Sequence, residues 1–227
     1  GKFFPRKDGQ AKIEGREEYV SDMVLPNMLF GKVVRSPYAH ARIKRIDVSR
    51  AEKMGAVCLT YKDVPRVKYN ERSGCLPSVC YKDRSVLTDT PRHVGEAVAA
   101  VAAESELEAL RALELIEIEY EQLPAVFSPL EAMEPGSVSL WDTIQLGEKE
   151  IKIENNVAVA RVIAEGDTDI GFNEADLIIE REFNTGRPYH CQMEIKSALC
   201  RPEPDGGITV WPTTQTLHNT RILLGEI

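Results

Sequence analysis

The pattern of apolar and polar residues predicts a short structural unit between residues 92 and 127. Residues 97–103 form an almost unbroken apolar run, which is typical of a strand that is buried on both faces. Ser105 follows this run, and Glu108 comes three residues later. This spacing predicts a capping box, in which the Ser105 hydroxyl accepts from the Glu108 N–H and the Glu108 carboxylate accepts from the Ser105 N–H. We therefore expect a helix to begin directly after the strand.

The helix and the strand after it are distinguished by their apolar periods. The expected helix carries one apolar stripe, made by Leu107, Ala109, Leu110, Ala112 and Leu113. Between residues 116 and 121 apolar side chains then alternate with the glutamates Glu117, Glu119 and Glu121. Such alternation is typical of a half-buried strand. Strand, helix and strand together predict a small α+β domain with a right-handed connection.

The residues before this unit predict three further strands and one short helix. The strands are expected at residues 28–34, 41–47 and 56–61. Ser49 is expected to cap a helix that ends near Gly55. Residues 64–86 are rich in Lys, Arg, Pro, Gly and Ser, so they predict a long loop.

A domain boundary is predicted near residues 123–134, where three prolines fall close together. Residues 140–156 are polar and show little periodicity, which is typical of a linker or of a long surface crossing. After them the pattern predicts a helical turn at 168–174, a strand at 175–183, a hairpin with strands at 192–201 and 207–211, and a helix from 216. We therefore predict a first domain at residues 1–126, a linker at 127–156 and a second domain at 157–227.

Composition limits the classes of partner. The chain has 227 residues, of which 43% are hydrophobic and 28% are charged, as in an ordinary soluble globular protein. Its formal net charge of −8 argues against nucleic acid as the main partner, because phosphate contacts need clustered Lys and Arg. The basic residues Lys32, Arg35, Arg42, Lys44 and Arg45 alternate with apolar ones and are interpreted as the solvated face of strands.

We expect a cytoplasmic location without a membrane partner. No apolar run approaches the roughly 20 residues that a membrane span requires, and the N-terminal residues lack the apolar core of a signal peptide. Cys58, one of five cysteines, lies in an apolar stretch and is interpreted as a small core residue. Cys75 and Cys80 flank Pro77 and could meet, although a structural disulfide is unusual in a reducing cytoplasm, so their pairing stays open.

Without reference to any family, the sequence shows no complete set of catalytic residues. None of the four histidines is spaced i, i+4 from another, so a zinc site is not expected. His190, Cys191 and Glu194 are close in sequence, but on a strand His190 and Cys191 point to opposite faces, which argues against metal ligation. The chain also has no G-x-S-x-G motif and no Gly-rich phosphate loop before a helix.

Several segments resemble one known family. The segments RKDGQAKIEGREEYVSDM at 6–23, LFGKVVRSPYAHARIKRID at 29–47 and RHVGEAVAAVAAES at 92–105 resemble the start of a molybdenum hydroxylase large subunit, in the xanthine dehydrogenase/aldehyde oxidase family. The match continues with IEYEQLPAV at 118–126, GDTDIGFNEADLIIEREFNTG at 166–186, YHCQMEIKSALC at 189–200 and ITVWPTTQTLHNTR at 208–221. The resemblance implies an α/β-hammerhead domain followed by the beginning of a molybdopterin-binding α+β domain.

The resemblance also implies one cofactor contact. In this family the Gln of a Thr-Gln pair at the end of a strand lies beside the molybdenum centre and donates to an oxo ligand, and here the pair is Thr214-Gln215. A neutral amide can donate to a metal-bound oxygen without bringing a charge into the site. The alternative is that Gln215 satisfies backbone groups at a strand-to-helix junction. The Gly95-Glu96 pair is expected to be structural, with Gly95 allowing a turn and Glu96 bonding neighbouring backbone.

The sequence departs from the family pattern in ways that limit what this chain can do alone. Proline is usual in the family at the positions of Ala97 and Ile195, and both changes are tolerable. The Gly-rich segment that approaches the cofactor and the C-terminal Glu that acts as general base are not among residues 1–227, so we expect this chain alone to be inactive, with no catalytic residue and no bound cofactor.

The resemblance implies that other parts complete the enzyme. These are the remainder of the molybdenum subunit with its molybdopterin, and FAD and iron–sulfur clusters on partner domains or subunits. The implied small-molecule substrate is an N-heterocycle, a purine or an aldehyde, and the sequence does not choose among them. The alternative is a non-catalytic binding or assembly module derived from the same family.

Overall fold

Short strands and helices alternate along the chain, as expected for an α+β fold. The computed structural model describes residues 1–70, 81–147, 149–158, 160 and 162–227. Its strands are β1 (Phe30–Arg35), β2 (Ala41–Asp47), β3 (Val57–Thr60), β4 (Tyr81–Lys82), β5 (Ala97–Ala103), β6 (Glu117–Gln122), β7 (Thr143–Leu146), β8 (Lys149–Lys152), β9 (Ala198–Pro202) and β10 (Ile208–Pro212). Its α-helices are α1 (Gly9–Ile13), α2 (Ser49–Lys53), α3 (Glu106–Glu114), α4 (Pro129–Met133), α5 (Thr168–Glu174) and α6 (Leu217–Glu226). Among the described residues, no helix is both long enough and apolar enough to cross a membrane.

The chain divides into two structural units, each of which combines separate stretches of sequence. Residues 22–158 and 214–227 form the unit that we call the core unit. Residues 1–21 and 159–213 form the unit that we call the hairpin unit, after its β9–β10 hairpin. The domain limits predicted from the sequence stay a prediction.

Strand β5 is the centre of the core unit. It pairs antiparallel with β1 on one side and with β3 on the other. Val98 and Ala99 are fully buried in it, and Val101 is almost so. Because its backbone groups are paired along both edges and its side chains are covered, the strand can be apolar throughout. The prediction of a strand that is buried on both faces is confirmed.

Helix α3 packs against this sheet mainly through alanines, with Leu113 partly buried beside them. Ala109 and Ala112 are fully buried and belong to the same hydrophobic cluster as Val101 of β5. Leu107 and Leu110 remain 58% and 45% exposed, so the predicted stripe is wrong at these two positions. Small side chains let the helix axis approach the sheet closely. The face of α3 that carries the alanines is therefore the face that lies against the sheet.

The N-terminal caps of helices α2 and α3 differ from the predicted ones. The Ser105 hydroxyl accepts from the Glu108 N–H at 3.2 Å, as predicted for α3. The Glu108 carboxylate is bonded to the Ser105 hydroxyl at 2.8 Å, whereas its predicted donor was the Ser105 N–H. The predicted cap of α2 is wrong: Ser49 is the first helical residue, and its N–H donates to the Asp47 carboxylate at 3.0 Å.

Strand β6 pairs with β2 in a separate antiparallel sheet and does not return to the sheet of β5. The predicted right-handed connection is therefore wrong, because that rule concerns parallel strands of one sheet. The acidic face of β6 lies across from the basic face of β2, with Arg42 3.9 Å from Glu121. Arg42, Lys44 and Arg45 are exposed, as predicted for a solvated face.

Strands β4, β7 and β8 form a further antiparallel sheet of the core unit. The prediction of a loop at residues 64–86 is wrong at β4 and at a bridge between Tyr69 and Arg84, whereas the other described residues of this segment lie in no helix or strand. Residues 127–156, which were predicted as a linker, contain α4 and the paired strands β7 and β8. Cys75 and Cys80 lie outside the described residues.

The hairpin unit forms its predicted turn and helix but not all of its predicted strands. The β9–β10 hairpin turns at Gly206, whose φ is +87°, and the Asp205 carboxylate accepts from the Gly207 N–H at 2.9 Å. Asp167 caps α5 by accepting from two backbone N–H groups of its first turn. The strand predicted at 175–183 is wrong: this segment is not paired with any described strand, and its side chains are exposed. Taken together, the described residues contain both α-helices and β-sheets, so the prediction of an α+β fold is confirmed.

Candidate functional site

The predicted cofactor contact Gln215 follows β10 closely in the chain, and the end of that strand is fixed by Thr213. The Thr213 N–H donates to the Ser197 carbonyl at 2.9 Å. The Thr213 hydroxyl accepts from the Ser197 N–H at 3.3 Å and donates to the Ile195 carbonyl at the same distance. These bonds hold the last residue of the hairpin unit against the residues that precede β9.

In the core unit, threonines order the residues that lead into α6. The Thr214 hydroxyl accepts from the Thr216 N–H at 3.1 Å and lies 3.0 Å from the Thr220 hydroxyl. Thr220 donates its N–H at 2.9 Å and its hydroxyl at 3.1 Å to the Thr216 carbonyl. The Gln215 side chain is exposed and has no hydrogen-bond partner among the described residues. The backbone role that the alternative gave to Gln215 is thus performed by its neighbours.

A second glutamine, which sequence reasoning missed, also has an unused polar atom. The Gln192 side-chain oxygen is buried and lacks a hydrogen-bond partner in the part of the chain that the structure describes. A buried polar atom without a partner is rare in proteins and calls for a water, a ligand or another polypeptide segment. The only signal in the sequence was its position in the segment 189–200, between Cys191 and Glu194.

The three residues weighed as metal ligands, His190, Cys191 and Glu194, are exposed. His190 stacks on Tyr189 with 5.5 Å between the ring centroids, and Cys191 has a φ of +42°. Within the described ranges, no group of three or more His, Cys, Asp or Glu side chains could hold a metal ion.

Cys58 and the Gly95-Glu96 pair have the structural roles expected of them. Cys58 packs against the core cluster, and burial, with a smaller contribution from Glu52, raises the pKa of its thiol. Gly95 has a φ of +89° and donates its N–H to the Ser36 carbonyl at 2.8 Å. The Glu96 carboxylate accepts from the Arg92 N–H at 2.6 Å. Gly95 and Glu96 thus bond neighbouring backbone, as expected.

The chemistry that remains available at the two glutamines is neutral hydrogen bonding. Gln215 offers an exposed primary amide, and Gln192 offers an unpaired carbonyl oxygen. Each is separately suited to an organic cofactor that carries both donors and acceptors, because an amide adds no charge to the site. The side chains present therefore fit a pterin cofactor better than a directly ligated metal ion.

Two family models match the chain in order. Residues 14–124 match the a/b hammerhead domain of aldehyde oxidase and xanthine dehydrogenase. Residues 150–227 match the molybdopterin cofactor-binding domain, which includes both Gln192 and Gln215.

Relatives with the same two parts are larger proteins. A probable xanthine dehydrogenase subunit of Bacillus subtilis is 36% identical over 225 residues, which are 98% of this chain and 28% of the relative. The nicotinate dehydrogenase large molybdopterin subunit of Eubacterium barkeri is 30% identical over 230 residues, which are 100% of this chain and 49% of that subunit. The chain thus spans between about a quarter and a half of these relatives.

Solved structures agree with the fold. The aldehyde oxidoreductase from Desulfovibrio gigas superposes with a TM-score of 0.74 at 26% identity, over 92% of this chain and 23% of that one. A Cu,Mo-CO dehydrogenase superposes with a TM-score of 0.78 at 27% identity, over 98% of this chain and 28% of that one. Fold and matched segments define a molybdopterin-binding protein. Within that class, the chain belongs to the xanthine dehydrogenase/aldehyde oxidase family of molybdenum hydroxylases.

Proposed function

We propose that this chain is part of the large subunit of a molybdenum hydroxylase that hydroxylates an N-heterocycle, a purine or an aldehyde. Two observations support this proposal. The hammerhead and molybdopterin-binding segments occur together and in order, and two relatives that match nearly all of the chain are named for xanthine and nicotinate dehydrogenation.

Gln215 is the residue that we propose to contact the cofactor. The observation that carries this role is its exposed amide, which has no hydrogen-bond partner among the described residues while Thr214, Thr216 and Thr220 bond one another. Gln215 then donates an N–H to the cofactor, and the ordered threonines limit the positions that its backbone can take. When bound, the molybdenum cofactor supplies the two-electron oxidation of the substrate carbon.

The chain acts together with further protein. The hairpin unit exposes large apolar side chains, among them Val162 and Phe183, which are 89% and 87% exposed. Such side chains are favoured at surfaces that become covered. We propose that the remainder of the molybdenum subunit covers them, that iron–sulfur and FAD domains or subunits receive the electrons, and that the enzyme is cytoplasmic.

The experiment that tests the role of Gln215 is Gln215→Ala in the assembled, molybdenum-loaded enzyme. Loss of a group that positions a metal centre lowers turnover on the order of 10–100-fold. The matched control is Gln122→Ala, since Gln122 is an exposed glutamine of β6 in the same unit. We expect the control to keep wild-type turnover and both variants to keep the wild-type thermal midpoint.

Two results would count against the proposal. Unchanged turnover of Gln215→Ala would remove Gln215 from the cofactor site. An assembly of this chain with the remainder of the molybdenum subunit and its partner subunits that contains no molybdenum by elemental analysis, and oxidises no purine, aldehyde or N-heterocycle with an artificial electron acceptor, would instead favour a non-catalytic assembly module.

A further inference from the structure

The core unit contains a cavity of about 730 Å³ to which the proposed function assigns no role. Four cationic side chains and only two carboxylates, Asp142 and Glu150, are among its lining residues. The cations are Arg42, Lys68, Lys82 and Arg92. In a chain with a net charge of −8, this local excess of positive charge is produced by the fold.

Two of the four cations already have an acidic partner. Arg42 lies 3.9 Å from Glu121, and Lys82 lies 3.2 Å from Glu226. Lys68 and Arg92 form no ion pair with any described carboxylate. Asp83, Asp89, Glu96 and Asp142 act on them only at longer range. Lys68 and Arg92 are therefore the cations that are available to an anion from outside.

Arg92 is held in one orientation before any ligand arrives. Its Nε donates to the Leu140 carbonyl at 2.7 Å, and its Nη1 donates to the Thr90 carbonyl at 2.9 Å. Its guanidinium carbon lies 3.7 Å from the centre of the Trp141 ring, where the cation and the ring attract each other. The Nη2 group has no acceptor among the described residues. A guanidinium fixed in this way loses little entropy when it binds an oxyanion.

The loop that carries Trp141 is fixed by one side chain. The Asn156 amide nitrogen donates to the carbonyls of Ala132 and Val138, at 2.8 Å each, and the Asn156 side-chain oxygen accepts from the Leu140 N–H at 2.9 Å. The bonds to Val138 and Leu140 hold the backbone directly before Trp141, and the bond to Ala132 ties it to the end of α4. The wall of the cavity is thus set by specific hydrogen bonds.

Lys68 brings a second, partly desolvated positive charge to the same place. Its Nζ donates to the Ser85 hydroxyl at 2.7 Å and lies 5.3 Å from the centre of the Trp141 ring. Burial, followed by the nearby Arg92, lowers the pKa of Lys68, and burial also lowers the pKa of Arg92. An anion bound beside both groups would relieve this unfavourable pairing of like charges.

A smaller cavity of about 260 Å³ shares Lys68, Thr90 and Arg92 with the first one. The two cations therefore have open space on more than one side. We propose that Lys68 and Arg92 bind the oxyanion group, phosphate or carboxylate, of a small molecule whose remaining atoms lie in the larger cavity beside Trp141. Trp141 lies between the two segments that the family models match, and Gln215 does not line either cavity.

The test is isothermal titration calorimetry of the purified protein at constant ionic strength. Pyrophosphate is the probe in one arm and citrate in the other, so that the stronger arm identifies the oxyanion. We expect saturable binding of one molecule per chain. Lys68→Gln should weaken it about tenfold, because a charge-assisted hydrogen bond is lost, while Lys68→Arg should retain it.

Lys62→Gln is the matched control. Lys62 also lies near an aromatic ring, 5.7 Å from the centre of the Tyr61 ring, but it lines neither cavity. Equal affinities of Lys68→Gln and Lys62→Gln for the probe, or no saturable heat of binding with either probe, would overturn the proposal of this anion site. The titration needs neither molybdenum nor substrate, so its failure leaves the proposed enzymatic function untouched, and failure of that function leaves the site untouched.

Discussion

The core unit and the hairpin unit both contain large apolar side chains, but only the core unit buries them. Val98 and Val101 of β5 are 0% and 2% exposed, whereas Val162 and Ile163 of the hairpin unit are both 89% exposed. Among the described residues of the hairpin unit, none is buried. The core unit therefore has an internal source of stability that the hairpin unit lacks.

The comparison separates local from long-range structure. Both units form helix caps, at Ser105 in the core unit and at Asp167 in the hairpin unit, because a cap needs only residues within one turn. The β9–β10 turn forms for the same reason. The segment at 175–183 has strand-like residues but no described partner strand, so it stays extended and exposed. An apolar pattern becomes a buried element only where a second surface covers it.

The same substitution in both units should give the sharpest contrast. In the 227-residue chain, Val101→Ala should lower the free energy of unfolding by about 2 kcal/mol, because two buried methyl groups are lost and a cavity is left. Val162→Ala should change it very little, because the side chain is exposed. Urea unfolding followed by circular dichroism measures both. A similar loss from Val162→Ala would mean that the hairpin unit has a core of its own.

A pair of substitutions on α3 tests which face of the helix is buried. Ala109→Leu should destabilise the core unit by about 1–2 kcal/mol, because the helix must move away from the sheet to admit the larger side chain. Leu110→Ala, one residue further on, should have a much smaller effect because Leu110 is 45% exposed. Thermal unfolding of the two variants gives the comparison. A larger loss of stability from Leu110→Ala than from Ala109→Leu would show that the leucine face of α3 is the buried one.

Removal of the caps compares the two units through the same interaction. Ser105→Ala should cost about 1 kcal/mol of unfolding free energy, because α3 is packed on the core and its end loses a hydrogen bond. Asp167→Ala should leave the urea midpoint unchanged and only reduce local helicity, since α5 has no buried residue. Amide hydrogen exchange of α3 and α5 distinguishes the two results. Equal shifts of the midpoint would show that α5 unfolds together with the core.

The smallest expected effect is a pH dependence within the core unit. The folded-state pKa of Lys68 is below its ordinary value of 10.5, so the unfolded state binds the proton more strongly. The contribution of Lys68 to the stability of the wild type should therefore rise as pH increases from the lowered pKa toward 10.5. Lys68→Gln should be slightly more stable than the wild type below this window and equal to it above 10.5. Thermal midpoints in a buffer without phosphate or carboxylate measure the difference, with Lys62→Gln as the control.

Sequence patterns predicted the elements well where the signal was local. The strand limits of β2 agree with the predicted 41–47, and α5 agrees with the predicted 168–174. The resemblance also selected Thr214-Gln215, whose role stays a proposal. The apolar pattern did not reveal which face of α3 is buried, because its leucines and alanines follow the same helical period. Only the distance between the helix and the sheet determines which of these side chains are covered.

The sequence by itself determined the α+β class, the hairpin turn, the starts of α3 and α5 and the family, since all of these depend on residues that are close together in the chain. Tertiary structure alone decided that β5 and β6 lie in different sheets and that Gln192 keeps an unpaired buried oxygen. It also decided that Lys68, Arg92 and Trp141 meet around one cavity. The physical reason is range: caps and turns close hydrogen bonds within a few residues, whereas sheets, buried atoms and cavities depend on contacts between distant segments.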